Sequence, residues 1–187
     1  YFAENLVSYL RTSIELSVSV CENAPEMLDY QFNGEFLSYL AQYSSDVDEF
    51  YSTIIECVKE LFESDSPASI PVALFSLSCI VNDCADSILE EPELIVDVTM
   101  KGLQSEEPTI MISANALLQS LIEDSSSCLS NYIDDIVKIY APNLFNLSFL
   151  QTLSDLLRTA DHQPTELIPL IHLLLGMLNQ QEDSDDN

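Results

Sequence analysis

Carboxylates that recur where apolar runs end are the side chains best placed to do chemistry in this chain. Glu15 and Glu22 lie in SIELSVSVCENAPEML (13–28), Asp83 in VALFSLSCIVNDCADSIL (72–89), and Glu123 and Asp124 in SANALLQSLIEDSSSCLS (113–130). Four more, Glu182, Asp183, Asp185 and Asp186, crowd the closing EDSDDN (182–187). Carboxylates spaced one structural repeat apart suit an extended Lys/Arg-rich segment, each pair adding modest energy and the array adding specificity. The closing stretch lacks the D-x-D-x-D-G ligand order of a calcium loop. It reads as a solvated acidic tail that captures basic segments through loose electrostatics.

Enzymatic constellations are missing from the sequence. His162 and His172 are its only histidines, and neither stands in an H-E-x-x-H context. His172 falls on an apolar helical pattern, where packing or an interface is expected. Cys79 and Cys84 are five apart, which is not the C-x-x-C of zinc or redox sites. Three scattered glycines (Gly34, Gly102, Gly176) cannot build a phosphate-cradling loop, and no G-x-S-x-G occurs. Adjacent acids such as Asp134-Asp135 and Glu106-Glu107 diverge on a helix and do not face each other across a substrate. A protein that is not an enzyme, with no cofactor and no metal, is the expectation.

Five Lys+Arg stand against 32 Asp+Glu, a formal net charge of −27. That balance disfavours nucleic acid and anionic membranes, both of which require phosphate neutralisation, and it attracts basic partners. Hydrophobic residues make up 47% of the chain, enough for a core. The cysteines number five and sit mostly in apolar runs, as expected of buried free thiols in a reducing compartment. No run reaches the roughly 20 apolar residues that span a bilayer; the longest, Leu167–Leu178, is broken by Pro169, His172 and Gly176. Asn146-Leu147-Ser148 fits a glycosylation sequon with nothing else pointing to secretion. Tyr1 stands where an initiator Met would, so a fragment or processed product is expected.

The elements that must position the carboxylates are helices. Apolar residues recur at three and four, as in Phe50, Ile54, Ile55, Val58, Leu61 and Phe62. The spacing and the breaks at Pro25, 64–67, 90–92, 106–108, Pro142 and Pro164 predict helices at 2–10, 13–24, 34–43, 48–63, 70–86, 92–103, 109–124, 130–141, 148–160 and 165–178. Laid over each other at an offset of 41, 72–89 and 113–130 match Ala73 with Ala114, Leu77 with Leu118, Ile80 with Leu121, Val81 with Ile122 and Asp83 with Asp124. The same pattern recurs in 13–28 and, more weakly, in FLQTLSDLLRTA (149–160). Its matched steps at Glu22, Asn82, Glu123 and Arg158 are spaced 60, 41 and 35. Periods near 40 built from helix pairs mark HEAT- or armadillo-type repeats, whose apolar faces are buried by stacking neighbours. The expectation is therefore an all-α solenoid of about nine or ten helices over 1–181, with the acidic tail at 182–187.

ELIVDVTMKGLQ (93–104) followed by ISANALLQSLIEDSSSCL (112–129) resembles an outer and an inner HEAT helix of the importin-β (karyopherin-β) superfamily. SIELSVSVCENAPEML resembles an inner helix with its exit turn. NYIDDIVKIYAPNL (131–144) resembles an outer helix, and ELIPLIHLLLGMLNQQEDSDDN (166–187) one that runs into an acidic loop. The inner helices here depart from the family in carrying almost no Lys or Arg. The resemblance implies a right-handed superhelical fragment and basic cargo, namely ribosomal proteins, histones or nuclear localisation segments. It also implies binding to Ran-GTP and FG nucleoporins, and residence in cytoplasm and nucleus. A dedicated chaperone of a basic protein and a HEAT-repeat scaffold or adaptor are the alternatives.

Overall fold

Helical periodicity governs every regular element that follows. A computed structural model describes residues 6–23, 30–44, 46–140, 147–160, 164–165, 168–169 and 171–172, and among these no strand is present. The helices are α1 (Leu6–Asn23), α2 (Tyr30–Gln42), α3 (Val47–Phe62), α4 (Ser69–Ile80), α5 (Ala85–Glu90), α6 (Glu93–Leu103), α7 (Pro108–Asp124), α8 (Ile133–Tyr140) and α9 (Leu147–Thr159). A 3-10 turn at Ser126–Leu129 follows α7. The all-α class is as expected. The chain divides into two compact units, Tyr1–Cys128 and Leu129–Asn187.

Local chemistry explains most boundaries. Asp46 caps α3 by accepting the backbone N–H of Glu49 at 3.0 Å. Pro92 precedes α6 and Pro108 occupies the first turn of α7, where a missing N–H costs nothing. Two expectations are corrected. The break expected between 10 and 13 is absent, because Arg11 and Thr12 are not breakers and α1 runs through them. The helix expected over 70–86 instead ends at Ile80, turns, and resumes as α5. Asn82 and Asp83 stand in that turn, and short polar side chains of this kind compete with the helical backbone. The tenth helix expected, 165–178, falls largely outside the described residues.

In the first unit α4 is the hub. Pro71, Val72, Ala73, Leu74, Phe75, Ser76 and Leu77 are all buried, so no face of this helix meets water over two turns. A helix apolar on all sides belongs in an interior. It packs most extensively on α7, and also on α1, α2, α3 and α6; α6 in turn packs on α7. Gly102 of α6 lies so close to α7 that an added Cβ would stand 2.6 Å from Ala114 Cβ. In the second unit α8 packs on α9, with Tyr140 and Phe149 buried and their ring centroids 5.2 Å apart.

All five cysteines are free thiols; Cys21, Cys57, Cys84 and Cys128 are buried and Cys79 is half-buried. Burial pushes Cys79 and Cys84 up to about 12 and Cys128 to about 11. No described helix is long and apolar enough to cross a membrane.

Candidate functional site

Of the acids singled out from sequence, Glu22, Glu123 and Asp124 lie at helix C-termini in the first unit, Asp83 lies in the turn between α4 and α5, and Glu15 is in mid-α1. Glu22 is in the last turn of α1, and Glu123 and Asp124 close α7; neither helix has a basic residue in its last turn. Asp83 follows the end of α4 by three residues. A helix C-terminus already carries partial negative charge, so acids there are unfavourably placed, by about 0.3–1 kcal/mol at an exposed site. A cation from a partner would relieve that conflict.

Their local partners differ. Glu15 is exposed on α1, and Asp124 is exposed at the end of α7. Glu123 is also exposed and accepts Gln119 Nε2 at 3.3 Å. Glu22 accepts the Ser66 hydroxyl at 2.6 Å, tying α1 to the loop before α4. Asp83 is half-buried and accepts Ser38 Oγ at 2.6 Å and Gln42 Nε2 at 3.3 Å, both from α2. Glu182, Asp183, Asp185 and Asp186 lie outside the described residues, as does His162; His172 is exposed.

A third bond of the same kind joins Ser87 Oγ to Asp48 at 2.7 Å. These three bonds span 45, 44 and 39 residues, close to the repeat spacing. Serine hydroxyls thus join these elements in a chain with only five Lys+Arg. A long-range ion pair joins Arg11 to Glu60 at 2.6 Å. Its guanidinium holds the Glu60 carboxyl below its ordinary value, chiefly through the hydrogen bond.

Removing the Ser38 hydroxyl isolates the effect of one such bond. Ser38→Ala is expected to lower stability by about 1 kcal/mol, since it leaves the half-buried Asp83 with only the longer Gln42 contact. Urea unfolding followed at the helical circular-dichroism band reads this; an unchanged midpoint would mean that Asp83 is solvated regardless of Ser38.

Sequence reasoning missed a grouping that Asp83 makes. A cleft of about 340 Å³ gathers Asp83 with Asp48, Asp86 and Glu90 around Asn82 and Ser87. Only the fold brings Asp48 here, so no local motif announces it. Among the described residues no set of three or more His, Cys, Asp or Glu is placed to hold a metal ion. A second groove, of about 390 Å³, lies between α1 and α2 and is lined by Tyr9, Phe36, Tyr39, Leu40 and Tyr43.

No family model, curated protein or solved structure matches this chain.

Proposed function

We propose that this chain is a non-enzymatic module of HEAT-like helical repeats that holds a basic protein partner on its acidic helix ends. The observation that carries this reading is the placement of Glu22, Asp83, Glu123 and Asp124. They stand at or just beyond the C-terminal ends of α1, α4 and α7, and α4 packs on both of the other helices. Carboxylates concentrated against negative helix ends, in a chain of net charge −27, favour Lys and Arg over any other partner chemistry. The repeat reading draws support from the packing of consecutive helices α3 with α4 and α6 with α7, and from the contact of α4 with α7. Within the resemblance to importin-β-like receptors, the partner is basic cargo, Ran-GTP and FG nucleoporins are further contacts, and the protein resides in cytoplasm and nucleus.

Titration of a labelled core histone into the chain at rising salt tests the basic-partner reading. Binding is expected to weaken steeply with ionic strength, and Glu15→Gln, Glu123→Gln and Asp124→Asn together are expected to weaken it roughly tenfold, about 1.4 kcal/mol. Binding indifferent to both salt and the triple variant would end this reading. Pull-down of Ran loaded with GTP against GDP then separates the receptor from the chaperone: binding independent of nucleotide sinks the receptor alone.

A further inference from the structure

The groove between α1 and α2 is an exposed aromatic feature that the acid array does not account for. Tyr39 is 54% exposed, Tyr43 71%, Phe36 38% and Tyr9 45%, with Leu40 as the buried floor. Phe36 and Tyr39 on α2 and Tyr43 in the turn just past it, whose N–H still donates to Tyr39 O at 3.0 Å, follow one another at three and four residues and so form one stripe. The stripe is separate from the flank that carries Ser38 and Gln42 toward Asp83. The rings of Tyr39 and Tyr43 are stacked side by side, with centroids 6.5 Å apart and planes inclined by 25°.

Resting on the basic-partner reading and extending it, we infer that this groove receives Arg or Lys side chains of an extended basic segment, stacked on the Tyr39 and Tyr43 rings. Charge complementarity selects that occupant. The last turn of α2 has no basic residue, and the cap and first turn of the next helix, α3, carry Asp46, Asp48 and Glu49, all exposed. A cation over the rings therefore meets the negative π faces, with those carboxylates only a few residues further along the chain. A guanidinium is flat and weakly hydrated, so it stacks on a tyrosine at lower desolvation cost than an ammonium. The acidic cleft of Asp48, Asp83, Asp86 and Glu90 lies at the same turn through Asp48. An extended segment leaving the rings would thus run onto further carboxylates. An anionic or purely aliphatic segment would forgo all of these.

The test uses a fluorescein-labelled peptide of alternating Arg and Ser, and the same peptide with neutral citrulline in place of Arg. Binding to the wild-type chain is followed by anisotropy, with circular dichroism and light scattering on each variant. The expected result is binding of the Arg peptide and at least roughly tenfold weaker binding of the citrulline peptide. The Tyr39→Leu/Tyr43→Leu variant, which keeps an apolar surface without a π face, is expected to bind the Arg peptide roughly five- to tenfold more weakly. Tyr39→Phe/Tyr43→Phe should stay within about twofold of wild type, because the phenyl face retains the quadrupole. If the Leu variant binds the Arg peptide as well as wild type does, the groove is not the seat, although the basic-partner reading stands. Equal binding of the citrulline peptide overturns the cationic occupant, as does a wild-type dimer that the Leu variant abolishes, since the groove would then be a self-association face. No binding of the Arg peptide by the wild-type chain overturns both readings.

Discussion

Gly102→Ala is expected to destabilise the first unit by about 1–3 kcal/mol, against the ordinary direction of this substitution in a helix. Alanine in a helix interior is favoured over glycine by about 1 kcal/mol, so propensity alone predicts a gain. Packing reverses the sign. The new Cβ would stand 2.6 Å from Ala114 Cβ and 3.0 Å from Leu74 Cδ1. Ala114 Cβ is fixed to the backbone of α7 and has no rotamer by which to retreat, and both Ala114 and Leu74 are fully buried. Either α6 moves away from α7, losing close-packed contact along both helices, or the hub helix α4 shifts with Leu74. The double variant Gly102→Ala/Ala114→Gly restores the room while paying propensity at Ala114. It is therefore expected to show favourable coupling in a double-mutant cycle, recovering part of the loss. Urea unfolding of the three variants gives the cycle. A Gly102→Ala protein at least as stable as wild type would show that the approach of α6 to α7 is soft.

The repeated apolar pattern made this contact partly legible. The overlay pairs Ala73 with Ala114, small side chains that admit close helix approach, and Ala114 is the residue against which Gly102 rests. Each matched pair, Leu77 with Leu118, Ile80 with Leu121 and Val81 with Ile122, is buried at both members. Periodicity identifies such positions because a residue type that recurs on one helical face has one dominant explanation, burial. What periodicity cannot supply is the partner. Gly102 reads in sequence as a helix weakness; only the juxtaposition of α6, α7 and α4 turns it into a requirement.

The acidic residues show the opposite balance. Their number and their positions at the ends of apolar runs are plain in the sequence, but their bonding is not. A search of the sequence for Lys and Arg leaves the carboxylates without partners, whereas Glu22, Asp48 and Asp83 each accept a serine hydroxyl from an element about 40 residues away. Serine is too common to mark such a bond in advance, and its partner is chosen by tertiary packing. The matched steps Asp83 and Asp124 also diverge. Asn82-Asp83 sits in a turn beyond α4, where α2 reaches it, while α7 continues through Asp124 and leaves that carboxylate exposed. Matched sequence positions thus end in different surroundings: Asp83 is tied to α2, and Asp124 is exposed.

Alkaline pH is expected to unfold the first unit through its thiols, and the sign follows from where each proton is held. Cys79 and Cys84 are raised from 9.0 to about 12 and Cys128 to about 11, with burial the leading cause in each. Below pH 9 these thiols are protonated in both the folded and the unfolded chain, so their contribution to stability is fully present. Above pH 9 the unfolded chain releases its thiol protons and the folded chain does not, so stability falls as pH rises. The fall from Cys128 ends near pH 11 and that from Cys79 and Cys84 near pH 12. Where the unfolded chain has lost a thiol proton and the folded chain still holds it, the slope is 1.36 kcal/mol per pH unit; averaged over the window, in which both states titrate gradually, about 1 kcal/mol per pH unit per thiol is expected. Three thiols then remove several kcal/mol between pH 9 and 11, a large share of the roughly 5–15 kcal/mol that holds a typical domain. Burial also raises Tyr51 from 10.0 to about 12, which steepens the fall above pH 10. Urea unfolding at a series of pH values gives the slope directly. Cys84→Ala is expected to cost about 1 kcal/mol at neutral pH through lost packing. Between pH 9 and 11 it should nevertheless flatten the decline by about 1 kcal/mol per pH unit, so the two stability curves converge as pH rises. Parallel curves for wild type and variant would mean that Cys84 ionises alike in the folded and unfolded chain, and that its burial carries no proton linkage.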